Sequence, residues 1–236
     1  MKKVIIILVC FTFEVFAQNI YATFDVVANK SANLAFSSSG IIKNIKVDIG
    51  SVVTKNETLA SLDAKDLEAS LNVYETTLIF AKKDLKRQDK IKNIIDEAAY
   101  DSYLQKYESA KANVAYQKAL LDKTILKAPF DGMIISKEIE IGDVVSGQMV
   151  KTAFKIQSKS KRKLILEFDQ KYNGLVKVGD IYTYQLDGSD TKYEAKISKV
   201  YPFADNKTRK IKAEVETKNI LVGLFGDGYI KLQEGK

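Results

Sequence analysis

Any chemistry in this chain would have to be done without histidine, which is absent, and with one cysteine, Cys10. That removes the commonest general base, the commonest transition-metal ligand and every Ser-His or Cys-His pairing. Three carboxylates, Asp63, Asp66 and Glu68, do cluster, and carboxylates can act as acid and base. Their place at the start of a helix-forming stretch reads instead as first-turn acids facing a helix dipole. Met133 and Met149 are soft donors, too few for a dedicated copper, silver or zinc site. No glycine loop of the phosphate-cradling kind is present. The residue types point away from catalysis and from any metal or other cofactor, and toward work done by shape and contact.

The stretch that must position everything else runs from Ala64 to Thr124. It contains no Pro and no Gly and is rich in Ala, Leu, Lys, Glu and Gln, which is helix composition. Apolar or small residues recur at intervals of four and three: Leu67, Leu71, Tyr74, Leu78, Ala81 and Leu85. A second run gives Tyr100, Tyr103, Tyr107, Ala110, Val114 and Leu121, with Gln117 interrupting it. This is the heptad seam of two helices packed along their length. Asp96, between the runs, is placed to cap the second helix. Two helices of about thirty residues make an antiparallel hairpin reaching ~45 Å. Toward its tip Lys82, Lys83, Lys86, Arg87, Lys90 and Lys92 outnumber Asp84 and Asp89. Such a run is either a solvated helix face or a docking tip.

The segments flanking this stretch read as copies of one another. Gly40-Ile-Ile-Lys-Asn-Ile-Lys-Val47-Asp-Ile-Gly50-Ser-Val52-Val53 precedes it, and Gly132-Met-Ile-Ile-Ser-Lys-Glu-Ile139-Glu-Ile-Gly142-Asp-Val144-Val145 follows it. Each alternates over a short span and is punctuated by glycine, the pattern of a strand–turn–strand unit. Neither has enough apolar residues to bury a core alone, so the halves are expected to close on each other.

At the start, Met1-Lys-Lys, Val4 to Val9 and Val15-Phe16-Ala17 read as a signal peptide cleaved after Ala17. Its apolar run is too short to span a bilayer, and Val9 is larger than the small residue expected before a lipoprotein cysteine at Cys10. The net charge of +7 is spread through the chain, without the aromatic-interleaved strip that binds nucleic acid. After residue 157 the pattern turns strand-like, with alternation at Leu164/Leu166/Phe168, Tyr182/Tyr184/Leu186, Tyr193/Ala195/Ile197 and Ile211/Ala213/Val215. Turn signals separate these runs, which argues for a small β-barrel or sandwich. Phe24 to Val27 and Asn33 to Phe36 are expected to complete it.

With these residues in view, the chain resembles the periplasmic adaptors, or membrane fusion proteins (HlyD-like), of tripartite efflux and type I secretion systems. The first half resembles their biotinyl/lipoyl-type motif and ends in Leu59-Ala60-Ser61-Leu62-Asp63. The second opens with Thr124-Ile125-Leu-Lys-Ala128-Pro129-Phe130-Asp131-Gly132, similar to the family's signature there. Pro129 would stop the helix, and Gly132 would supply a positive φ for the turn into a strand. Tyr193 to Lys210 resembles the family's barrel. The resemblance implies an elongated α+β chain: signal peptide 1–17, barrel strand or strands 18–36, lipoyl-like half 37–63, helical hairpin 64–124, lipoyl-like half 125–157, barrel 158–236. The membrane-proximal domain of longer adaptors is expected to be absent or minimal.

Function and partners likewise follow from the resemblance. It implies a non-enzymatic periplasmic subunit, associated with the inner membrane, serving efflux of drugs or other small toxic compounds. Its partners would be an inner-membrane transporter (RND type rather than ABC), a TolC-type outer-membrane channel, and further copies of itself as a trimer or hexamer. In the family an Arg-x3-Leu-x6-Ser pattern at the hairpin tip contacts the channel. Arg87, Ile91 and Asp96 are the positions here, with Asp96 in place of the serine and two residues early. Gly40, Gly50, Pro129, Gly132 and Gly142 would be structural. Alternatives are a type I secretion or metal-efflux adaptor, or a true lipoyl or biotinyl carrier modified at Lys65. The carrier lacks a Met-Lys-Met or Asp-Lys-Ala setting.

Overall fold

The computed structural model describes residues 19–232; the leader expected at 1–17, with Cys10, lies outside the described residues. In chain order the first elements are β1 (Asn19–Ala28), β2 (Ser31–Leu34), β3 (Gly40–Ile45), β4 (Val52–Val53), β5 (Thr58–Leu62), α1 (Lys65–Asp89) and α2 (Glu97–Asp122). There follow β6 (Ile125–Lys127), β7 (Gly132–Lys137), β8 (Val144–Val145), β9 (Phe154–Gln157), β10 (Lys161–Asp169), β11 (Ile181–Leu186), β12 (Lys192–Ala204), β13 (Lys210–Lys218) and β14 (Phe225–Lys231). They form two compact units, one from the chain's two ends (up to Asn29 and from Ser160) and one from Lys30–Lys159.

In the first unit, six strands close an antiparallel barrel in the order β1-β10-β13-β12-β11-β14. Alternation decides what faces inward. Ile20, Ala22, Phe24 and Val26 enter from β1, Leu164, Leu166 and Phe168 from β10, and Ile211, Ala213 and Val215 from β13. Tyr182 is fully buried among them; its hydroxyl donates to the Ala22 carbonyl at 2.8 Å, and burial pushes its phenol well above the usual value. One expected barrel strand belongs elsewhere. Residues 31–34 pair with β9 in the second unit, and Leu34 and Phe36 are buried in that unit's core. Alternation drives a strand toward an apolar core without saying which of two cores takes it.

The second unit has two four-stranded sheets, β2-β9-β7-β4 and β6-β5-β3-β8, sharing one core that includes Leu34, Ile42, Leu59, Ile134, Phe154 and Ile156. The repeat explains the topology. In each copy the longer strand pairs with the other copy's Val-Val strand: Gly40 opposite Val145 and Ile41 opposite Val144, Gly132 opposite Val53 and Met133 opposite Val52. The turns repeat as well. Gly50 N–H donates to Ile134 O at 2.8 Å and Gly142 N–H to Ile42 O at 2.9 Å, with φ of +88° and +94° at the two glycines. Ile42 and Ile134 are at most 1% exposed. The halves are interleaved, so neither sheet exists without both.

Two structural expectations need correcting. Gly132 does not take a positive φ; it is glycine because a Cβ there would stand 2.5 Å from the Gln157 carbonyl oxygen. Gly40 is milder, its nearest obstacle being Leu62 Cδ1 at 3.2 Å. Nor does Pro129 stop a helix. α2 ends at Asp122, the Thr124 hydroxyl donates to Leu121 O at 2.7 Å, and β6 intervenes. Pro129 falls in the turn from β6 to β7, where its missing N–H leaves no ladder bond unmade.

Candidate partner-docking tip

The helices leave and rejoin the second unit through one strand pair: β5 lies beside β6, and Leu62 N–H donates to Thr124 O at 2.9 Å. α1 begins at Lys65 with Asp66 and Glu68 in its first turn, where carboxylates oppose the dipole's positive end. Asp63 faces Lys43 at 3.8 Å. Lys65 is exposed and follows β5 directly into the helix, so it does not occupy a strand-to-strand turn. Met133 lies in β7 and Met149 in the loop between β8 and β9. Among the described residues there is no group of three or more His, Cys, Asp and Glu side chains placed to hold a metal ion.

α1 and α2 run back along each other. Glu75 meets Lys118 at 2.9 Å, and nearer the tip Asp89 accepts from the Tyr100 hydroxyl at 2.8 Å. Leu67, Leu71, Tyr74, Leu78, Ala81 and Leu85 are half-buried between the helices, with Ala110 and Val114 buried opposite and Gln117 sharing the same line. The helices have 25 and 26 residues, hence a length of ~38 Å. That is shorter than the ~45 Å expected of thirty-residue helices, because residues 90–96 form the connection.

At this end the three residues assigned to docking come together. Arg87, in the last turn of α1, is ion-paired with Asp84 one turn back. Ile91 is 45% exposed in the connection. Asp96 is the N-cap of α2, its carboxylate accepting from Ala99 N–H at 3.2 Å, a bond that satisfies one of the helix's free donors. All three reach solvent. The connection is tied at both ends: Ile94 and Ile95 N–H donate to Ile91 O, and Lys92 Nζ lies 4.6 Å from the Tyr100 ring centroid. The Asp89 carboxylate that accepts from Tyr100 pushes that phenol up.

Ile94 was not singled out from the sequence, yet at 87% it is among the most exposed apolar residues described. Its signal was the Ile94-Ile95 doublet inside a polar loop; one isoleucine turns inward and the other out. The tip thus sets two exposed isoleucines among charges of both signs, Arg87, Lys90 and Lys92 beside Asp96 and Glu97, a surface suited to contact with a partner's apolar and charged groups. Among the described residues no helix is long and apolar enough to cross a membrane.

Residues 30–157, more than half of the chain, match the family described as CzcB-like, barrel-sandwich hybrid domain. The chain is similar to the cobalt-zinc-cadmium resistance protein CzcB of Cupriavidus metallidurans, with 26% identity over 208 residues, 81% of this chain and 40% of that protein. The chain thus spans well under half the length of that curated relative. Among solved structures, a MacA-MexA chimera containing the Pseudomonas aeruginosa MexA alpha-hairpin domain matches with a TM-score of 0.85 at 24% identity, covering 92% of this chain and 82% of that one. MacA from Actinobacillus actinomycetemcomitans gives 0.78 at 21% identity, covering 92% and 79%. At these identities the two structures speak to the fold.

Proposed function

Since the chain belongs to the CzcB-like barrel-sandwich hybrid domain family, we propose that it is a periplasmic adaptor subunit of a tripartite efflux pump. It bridges an inner-membrane transporter, of RND rather than ABC type, and a TolC-type outer-membrane channel, and it assembles with copies of itself as a trimer or hexamer. Residues 1–17 direct export, and the protein stays associated with the inner membrane. The work is non-enzymatic. α1 and α2 act as a coiled-coil spacer, and the interleaved sheets are its base. Residues 19–29 and 160–232 supply the barrel, and 30–159 the base with its hairpin. Arg87, Ile91 and Asp96 are the channel contacts, joined by Ile94.

One observation carries this reading: an antiparallel helix pair, inserted through a single strand pair, ends in an exposed cluster of Arg87, Ile91, Ile94 and Asp96. Replacing Arg87 with Glu should abolish transport while leaving expression and folding intact, because Arg87 is exposed and its one ion pair is local. Full transport by that variant would remove the docking assignment. A second reading concerns cargo. The first cargo class is drugs or other small toxic compounds; the similarity to a cobalt-zinc-cadmium resistance protein sets divalent metal ions beside it. Deleting the chain's coding sequence should then sensitise cells to cobalt, zinc or cadmium; sensitisation to drugs alone would restore the first cargo class.

A further inference from the structure

Near the tip the two helices carry opposite charge. α1 and the connection hold Lys82, Lys83, Lys86, Arg87, Lys90 and Lys92 against two aspartates, whereas Asp96 to Glu108 contains four carboxylates and one lysine. These charges do little for each other within the chain. Arg87 pairs with Asp84 and Glu108 with Lys111, each one turn away on its own helix, and the ion pair between the helices is Glu75–Lys118, far from the tip. Lys83 lies over the Phe80 ring, also on its own helix.

These charges, none of them paired across the two helices, are ordered. On α1 and its C-cap, Ile79, Lys83, Lys86 and Lys90 are spaced four, three, four; on α2, Glu97, Asp101, Leu104 and Glu108 repeat that spacing, and all eight are exposed. Such spacing keeps each set on one face of its helix, away from the face the helices use on each other. Each stripe includes one exposed apolar residue, Ile79 at 53% and Leu104 at 38%. Height along the pair is set by two contacts, Glu75 with Lys118 and Asp89 with Tyr100, so residues at equal height have numbers adding to about 190. By that rule Lys90 stands level with Asp101, and Lys83 with Glu108.

We propose that the basic stripe of α1 on one copy docks against the acidic stripe of α2 on the next copy, with tips level, Lys90 facing Asp101 and Lys83 facing Glu108. This rests on the self-assembly reading above and supplies its contact and register. Because the stripes differ, the contact is head-to-tail, the kind that builds a ring when the rotation between copies closes. Exposed ion pairs are individually weak and screened by salt, so they set neighbour and register more than strength.

The test uses purified full-length chain in sedimentation velocity at low and high salt. An acidic variant (Lys83→Glu with Lys90→Glu) and a basic variant (Asp101→Lys with Glu108→Lys) should each self-associate about tenfold or more weakly than wild type at low salt. An equimolar mixture of the two should regain association, since each then offers the other an opposite stripe. A fourfold exchange variant should associate alone, and far-UV circular dichroism checks that each variant keeps its helices. If wild type associates and the variants associate equally, or the mixture regains nothing, the stripe contact is overturned while self-assembly stands. If wild type is monomeric throughout, self-assembly itself fails, and the contact with it.

Discussion

Replacing Gly132 with Ala asks whether two backbones really approach as closely as the base requires. The new methyl would meet Gln157 O at 2.5 Å, Ile156 Cγ1 at 2.9 Å and Ile156 Cδ1 at 3.1 Å. Carbon and oxygen rest at roughly 3.5 Å, so the backbones would have to part by about 1 Å. Neither neighbour can yield easily. Gln157 is paired with Met133 on one side and Ser31 on the other, and Ile156 is completely buried. Overpacking of this kind costs about 1–3 kcal/mol. A weakened ladder bond adds about 1 kcal/mol, for a total of about 2–4 kcal/mol. The second unit's melting temperature should fall by roughly 6–12 °C. The two units need not unfold together, so native-state hydrogen exchange is the assay. Amides of β7 and β9 should lose protection while barrel amides keep theirs. A loss under about 0.5 kcal/mol, within the range of ordinary surface substitutions, would refute the close-approach argument.

Gly50→Ala and Gly142→Ala meet no neighbouring atom but sit at φ of +88° and +94°, so each should cost about 1 kcal/mol, equal within error in urea titrations. Asp96→Ala should cost about 1 kcal/mol and fray the first turn of α2, with Asn restoring the cap; amide exchange at Ala99 reads both. Burial pushes the Glu214 carboxyl up, but Lys163 Nζ at 2.8 Å and the Tyr201 hydroxyl at 2.8 Å outweigh it and hold it below its usual 4.5. The stability this contributes is present above pH 4.5 and lost as pH falls through the lowered value. Barrel stability measured against pH should therefore decline below about 4.5 in wild type and more shallowly in Glu214→Gln.

The helices and the repeat were legible because local pattern determines both. No Gly or Pro interrupts Ala64–Thr124, and the repeat keeps its glycines and valines in step. Long-range competition was hidden. Leu34 alternates correctly for either core, and pairing with Phe154 across 120 residues decides which. β14 escaped notice because two of its inward positions are Gly226 and Gly228, which give the barrel's aromatic side chains and neighbouring carbonyls the space an apolar residue would have filled. Pro129 invited a helix-stop reading because the three-residue strand β6 before it is too short to announce itself. At the tip Asp96 was readable as a cap from its type and place, whereas Ile94 required knowing which of two adjacent isoleucines turns outward.

Strand pairing between distant parts of the chain also dictates when the protein can take its final form. β14 enters between β1 and β11, setting Asn19 beside Lys231; β4 stays unpartnered until β7 has been made, and β3, paired early with β5, lacks its second neighbour until β8. During synthesis from the first residue onward, the β3–β5 pair and the two helices can begin to associate early. Both β units close late, through contacts of high sequence separation that slow folding. The growing polypeptide therefore cannot close its second unit before β9 (Phe154–Gln157), or its barrel before β14 (Phe225–Lys231), has emerged. For a chain exported as proposed, that delay keeps it narrow enough to pass through a membrane pore before it locks.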